Sequence, residues 1–319
     1  MEPGKEDITI VVFANRKDFF LTKICISSIR FYYPGVEIFL VKDKINGDFN
    51  TSALRKIFNV KLLNLGKKYY GWSSAKIHFL LQKHLPKKRY LCLDSDIIFI
   101  GRVLERIEKE KGEFVLNADM IEPPFSEENL HDYFDPEKVK VLYPDYEYPG
   151  FFFNAGQTVV TPGIIDEALL EKCFDPYRYP YFTNKMIFPT VDQSVLNAVI
   201  PILMKKNNLQ VGRVRFMRWS VQFFSNNENN NVDLFLDGLT PLMIHYCGDI
   251  RTQDLGKMKG DNILKFFRDY YYIKLSGRIR LLNRLQDKLL TSKRITRILY
   301  QQNLRIINFL NRIGKPEYY

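Results

Sequence analysis

The stretch Arg89-Tyr90-Leu91-Cys92-Leu93-Asp94-Ser95-Asp96-Ile97-Ile98-Phe99-Ile100-Gly101 sets two carboxylates between two apolar runs. Short apolar runs of this kind read as buried strand, and a pair of charges can sit there only where a strand leaves the core. A strand points residues i and i+2 to the same side, so Asp94 and Asp96 can converge on one point. Two hard oxygen ligands suit Mg²⁺ or Mn²⁺, ions that hold phosphate oxygens well and are rarely caged by protein alone. The pair is therefore a candidate holder of a metal–diphosphate. The same residues also fit a strand-end turn in which one Asp caps the next segment and the other is solvated.

The chain before this stretch alternates. Ile8–Phe13 is a β-branched apolar run, Phe20–Tyr32 has helical spacing, and Val36–Val41 follows as strand after Pro34-Gly35. Ser52–Phe58 reads as helix, Val60–Leu65 as extended, Ser73–His84 as helix with a Ser N-cap signal, and Tyr90–Leu93 as strand. A β-α-β-α-β order with short turns predicts an α/β fold, a Rossmann-like sheet flanked by helices. Ligands in such sheets bind beyond the carboxyl ends of the strands, where the Asn15 turn and the Asp pair both fall. Beyond Gly101 the pattern loosens. Glu113–Asn117 reads as strand and Pro123–Pro149 as a long ordered loop or lid. A strand runs through Thr161, a helix from Thr190 to about Leu203, and a strand over Leu242–Tyr246.

Several side chains carry two readings. His245, one of four histidines, stands at a strand end and fits a third metal ligand or a hydrogen-bonded structural imidazole. Asn154 and Gly156 follow three phenylalanines, where small residues allow close backbone approach to a ligand or mark a bulge. Thr190 and Gln193 fit a capping box, and Asp192 suits the helix dipole. The alternative for Asp192 and Gln193 is binding a hexose hydroxyl and placing an amide near a reacting carbon. Lys76 and Arg251 are either solvated cations or phosphate partners.

With 319 residues and 46% hydrophobic residues the chain can bury a large core. No apolar run reaches a membrane span and residues 1–7 do not form a signal peptide, so a cytoplasmic location is expected. Four cysteines without a CxxC pair fit that setting, with Cys25, Cys92 and Cys247 read as small buried hydrophobes. The net charge of +11 is concentrated beyond Asn262, where thirteen Lys/Arg face three Asp/Glu. A nucleic-acid binder would spread its basic surface differently, so no nucleic-acid partner is expected.

Taken in order, Phe13-Ala14-Asn15, Ser27-Ser28-Ile29, Ala75-Lys76-Ile77-His78, Asp94-Ser95-Asp96, Phe153-Asn154-Ala155-Gly156, Asp192 to Asn197 and His245-Tyr246-Cys247-Gly248 resemble the GT-A-fold glycosyltransferases. The pattern is most similar to glycosyltransferase family 8, which holds glycogenin and the bacterial lipooligosaccharide galactosyltransferases, and covers roughly residues 8–251. The resemblance implies a nucleotide-sugar donor, UDP-linked, and a retaining transfer of a hexose. It implies that Phe13, Ala14 and Asn15 line the nucleotide pocket and Lys76 reaches the donor. Asp94, Ser95 and Asp96 would meet the diphosphate, with Asp94, Asp96 and His245 ligating Mn²⁺ (or Mg²⁺). Asn154, Ala155, Gly156, Asp192 and Gln193 would contact the transferred sugar, Gln193 nearest its anomeric carbon. Gly248 continues into Asp249-Ile250-Arg251 in place of the family's Lys-Pro-Trp, so Arg251 stands where its phosphate-binding Lys is expected. Asp18 stands where the family has a Tyr.

The expected organisation is a GT-A domain over 1–255 and a basic, aromatic, amphipathic helical region over 256–319. Leu282, Leu285, Leu289, Ile295, Ile298 and Leu299 recur at helical spacing among Arg280, Arg284, Lys288, Arg294 and Arg297. Such a region suits an anionic membrane surface, peripheral on the inner face of the plasma membrane, or packs on the domain with a solvated basic face. The acceptor would be a glycan or lipid-linked glycan. The rival reading is a non-catalytic nucleotide-sugar-binding protein, or an envelope or nucleic-acid scaffold, on the same core.

Overall fold

The computed structural model describes residues 8–46, 48–66, 70–118, 130, 133–175, 186–226, 242–247 and 254–291. Strands β1 (Ile8–Ala14), β2 (Ile38–Lys42), β3 (Val60–Leu62) and β4 (Arg89–Asp94) run parallel in the spatial order β3-β2-β1-β4. Three strands extend the sheet to seven: β7 (Gln157–Val160), antiparallel to β4, then β6 (Phe114–Asn117) and β8 (Val211–Val214). A second, three-stranded sheet holds β5 (Ile97–Phe99), β10 (Met243–His245) and β9 (Met217–Trp219) in that order. The expected mixed α/β architecture is present.

Both faces of the large sheet are buried, which is why β1 reads as an unbroken apolar run. Ile8, Ile10, Val12 and Ala14 face a layer containing helix α1 (Phe19–Tyr32). Val11 and Phe13 face the opposite layer, with α3 (Trp72–Leu80) and a long helix, Val191–Asn207. The intervening helices are α2 (Ser52–Ile57), α4 (Leu104–Glu108), α5 (Pro136–Leu142) and α6 (Glu167–Leu170), so Val191–Asn207 is α7. Ser220–Asn226 is α8, Asp261–Lys274 is α9 and Gly277–Thr291 is α10.

Three expectations change in detail. The segment read as a lid contains α5, started by Asp135, whose side chain accepts from the Lys138 amide, with Pro136 in the first turn. That is a helix start in its own right. Helix α3 begins one residue earlier than its serine signal. Its cap is Gly71, and Ser74 Oγ reaches back to the Gly71 amide at 2.9 Å. Cys247 is exposed, whereas Cys25, Cys92 and Cys173 are buried. The chain leaves β10 at His245, so Cys247 lies two residues past the packed strand.

Helix α9 lies across α1 and belongs to the same apolar layer. Ile263, Leu264, Phe267, Tyr271 and Tyr272 are core residues, and Phe31 meets Phe266, Phe267 and Tyr270 edge-on at 5.5–5.7 Å. No helix among the described residues is long and apolar enough to cross a membrane.

Candidate active site

The carboxylate pair sits where one sheet hands over to the other. β4 ends at Asp94, a tight turn carries Ser95 and Asp96, and β5 begins at Ile97. The two side chains therefore converge across a turn between two sheets, not along the face of one strand. Register explains what joins them. β10 pairs antiparallel with β5, placing His245 opposite Ile97, and the Tyr246 amide donates to the Asp96 carbonyl at 3.1 Å. His245 Nε2 then lies 3.3 Å from Asp96 Oδ1 and 4.0 Å from Asp94 Oδ2.

One ligand atom from each of Asp94, Asp96 and His245 falls within 4.8 Å of the others, and all three residues are secluded from solvent. Two carboxylates and an imidazole form a donor set that fits Mn²⁺ or Mg²⁺ with substrate oxygens completing the shell. The ring of His245 stacks on Trp219 at 5.0 Å, a consequence of the parallel β10–β9 register that pairs the two residues. Gly156 makes this crowding feasible. A Cβ there would stand 2.5 Å from His245 Cε1, 2.6 Å from Asn154 Oδ1 and 2.8 Å from Asp94 Oδ2. The glycine is required by the close approach of the His245, Asn154 and Asp94 side chains.

Lys76 occupies the next position. Its Nζ is 2.7 Å from Asp94 Oδ1 and 2.7 Å from Asp192 Oδ2, and the residue is 3% exposed. Burial by itself would depress the ammonium, but Asp192 and Asp94 outweigh it and hold the Lys76 pKa above the usual lysine range. Asp94 moves the other way from an ordinary carboxylate. Burial pushes it up to about 6, against the pull of Lys76 and with repulsion from Asp96 and Asp192 adding to the rise. A cation bound beside it would relieve that repulsion.

Gln193 does not form a capping box with Thr190. Its Oε1 accepts from Asn154 Nδ2 at 3.1 Å and the Ala155 amide at 2.9 Å, while its Nε2 donates to the Phe153 carbonyl. The cap-side bonds go to Ser194 instead, whose Oγ accepts from the Thr190 amide at 3.0 Å. Asn197, one turn along α7, also grips Phe153, accepting from its amide at 3.0 Å and donating to its carbonyl at 2.8 Å. Helix α7 thus presents Asp192 to Lys76 and holds Phe153 to Ala155 against β4.

Asn15 forms a turn. Its Oδ1 accepts from the amides of Lys17 and Asp18, and its Nδ2 donates to Asp18 Oδ2 at 2.9 Å. Asn15, Asp18, Trp72, Asp94, Ser95, Asp96, His245 and Cys247 line one small cleft. The Phe13 side chain points away from it, packing edge-on against Phe79 at 6.1 Å, and Ala14 is fully buried. Gly248 and Arg251 lie outside the described residues. Sequence reasoning passed over Trp72 and Trp219, although a signal existed: they are the chain's two tryptophans, and both reach this site.

No family model and no curated relative matches the chain. Among solved structures, the galactosyltransferase LgtC in complex with donor and acceptor sugar analogs matches with a TM-score of 0.50 at 15% identity, over 84% of this chain and 100% of that one. In this chain the parallel strands β3-β2-β1-β4 are followed in the sheet by the antiparallel β7. The chain has the GT-A fold. The apo structure of the bifunctional glycosyltransferase WbbM is similar at a TM-score of 0.48 and 13% identity, over 85% of this chain and 50% of that one. Apo GlyE from Streptococcus pneumoniae TIGR4 matches at 0.48 and 13%, over 88% and 63%. Within the GT-A frame, the Asp-Ser-Asp turn falls at the carboxyl end of β4, beside the β1–β4 boundary where the strand order reverses. That is where open α/β sheets bind ligands.

Proposed function

We propose that this chain is a metal-dependent glycosyltransferase, moving a hexose with retention from a nucleotide-sugar, UDP-linked, to a glycan or lipid-linked glycan. The observation that carries the reading is the convergence of Asp94, Asp96 and His245 beside the buried Lys76–Asp192 pair. A nucleotide-sugar leaves as a diphosphate, and a divalent cation held by Asp94, Asp96 and His245 would neutralise its growing charge. Lys76, kept protonated by its carboxylate neighbours, supplies a second fixed positive charge that needs no reorganisation.

Asp192 and Gln193 support the sugar side of the reading. They open α7 against Asn154 and Ala155, so both amides and a carboxylate border the place where a sugar ring would lie. Asp192 is neutralised by Lys76 and Gln193 is a weak nucleophile. A front-side, oxocarbenium-like path with net retention fits these groups better than a double displacement through a covalent intermediate. The basic, apolar C-terminal helix supports an acceptor met at an anionic membrane surface, on the cytosolic face.

The test is a donor screen with UDP-, GDP-, CMP- and dTDP-sugars, reading nucleotide release with Mn²⁺ and with EDTA. Release from one donor that EDTA abolishes is the expected result. Asp96→Asn should lower it on the order of 10²–10³-fold, the scale of losing one transition-state stabiliser. Release that survives EDTA would overturn the metal assignment, and binding without turnover of any donor would favour the scaffold reading.

A further inference from the structure

A second cavity, of about 460 Å³, opens between α1, α9 and α10. Its volume lies within the range of small-molecule sites. The walls are apolar: Phe20 and Ile24 from α1, Leu255, Tyr271 from α9, and Leu281 and Leu285 from α10. Leu281 and Leu285 stand four residues apart on one helical face yet remain 59% and 46% exposed. Nothing described covers them.

The floor is charged but internally balanced. Lys23, 5% exposed, meets both Asp287 oxygens at 2.5 and 2.6 Å, and the Tyr272 hydroxyl donates to the same carboxylate. The rim is cationic. Arg268 pairs with Asp269 at 3.2 Å, whereas the Arg284 guanidinium lies 5.1 Å from the Tyr272 ring centre and pairs with no carboxylate among the described residues. The groove thus offers hydrocarbon walls below a guanidinium with no carboxylate partner among the described residues, in a region whose sequence carries a large basic surplus.

We infer that this groove binds one hydrocarbon chain of an anionic, phosphate-bearing lipid, with the phosphate on Arg284. Its position gives the binding a use. Asp18 lines the metal cleft and Phe20, Lys23 and Ile24 line the groove, so the two are separated by no more than about 9 Å along α1. A lipid seated there would lie against the same helix that borders the metal cleft. Its role as the acceptor's anchor rests on the glycosyl-transfer reading; its binding does not.

Calorimetric titration of the full chain with monomeric dodecyl phosphate, dodecyl maltoside and inorganic phosphate tests the inference. Dodecyl phosphate should bind at least tenfold more tightly than either of the others. Leu285→Glu and Arg284→Gln should each weaken it at least tenfold, while Leu282→Glu, on an exposed residue that does not line the groove, leaves it unchanged. Equal binding of inorganic phosphate or of the maltoside overturns the proposal, as does equal weakening by Leu282→Glu. A full chain silent to dodecyl phosphate also overturns it. Unchanged thermal melting of the variants excludes unfolding as the cause. Acceptor-free donor release, which neither Leu285 nor Arg284 should alter, reports separately on the proposed activity.

Discussion

At the scale of single residues the site is governed by exclusion as much as by ligation. Asp94, Asp96 and His245 can gather only because Gly156 has no side chain, and β7 begins against them. Gly156→Ala should destabilise the protein by about 1–3 kcal/mol, the usual cost of overpacking a filled interior. It should also weaken Mn²⁺ binding at least tenfold, because the methyl must displace His245 or Asp94. Denaturant titration with and without Mn²⁺ measures both. A loss below about 0.5 kcal/mol, with metal affinity unchanged, would show that the three ligands can move apart freely. The sequence made this cluster of side chains legible because carboxylate spacing and a strand-end histidine are local signals. It hid the jobs of Gln193 and Asn197. Their partners, Phe153 to Ala155, lie some forty residues away, and no local pattern separates an amide that caps its own helix from one that grips another segment.

At the scale of elements, the sheet's two ends do different work. The carboxyl ends hold the cleft, and the amino ends are tied by Glu37. It accepts from Lys61 and Lys88, each at 2.7 Å, and from the Thr9 hydroxyl at 3.2 Å, linking β1, β3 and the start of β4 to the residue before β2. Partial burial opposes its ionisation, yet the two lysines prevail and hold its pKa down at about 2. A depressed carboxylate contributes stability that is fully present above its unfolded value of 4.5 and is lost as pH falls towards about 2. Glu37→Gln should therefore cost on the order of 1 kcal/mol at pH 7, the scale of partly exposed ion pairs. The difference from the parent protein should close between pH 4.5 and 2. Denaturant unfolding at stepped pH checks this, and donor release at pH 7 should be unaltered because Glu37 lies at the far end of the strands. The parallel strands β1, β2 and β4 were legible, being largely buried on both faces. β8 and β9 were not: each is three or four residues long and carries arginine, so tertiary pairing with β6 and β10 supplies the strand that periodicity does not.

For the molecule as a whole, the question is where the folded unit stops. Aromatic and basic residues over Phe266–Tyr272 suit an interface helix when read alone, yet the structure sets Phe267, Tyr271 and Tyr272 inside the layer that covers β1. Phe58 stacks on Tyr271 at 5.2 Å, and Phe31 lies among three α9 rings, so α9 seals the side of α1 that would otherwise face water. The basic helix that follows is anchored to this seal by the Lys23–Asp287 pair. If α9 is part of the core, removing its central ring should loosen everything at once. Phe267→Ala should cost about 3–5 kcal/mol, as for a buried aromatic, and leave a single cooperative transition. Hydrogen exchange of α9 amides should slow and quicken together with those of β1 in both proteins. An appendage would behave differently: the substitution would cost under about 1 kcal/mol, and α9 would exchange well ahead of the sheet. Because α1 borders the metal cleft at Asp18 and the groove at Ile24, a cooperative α9 would also mean that the two sites share one rigid wall.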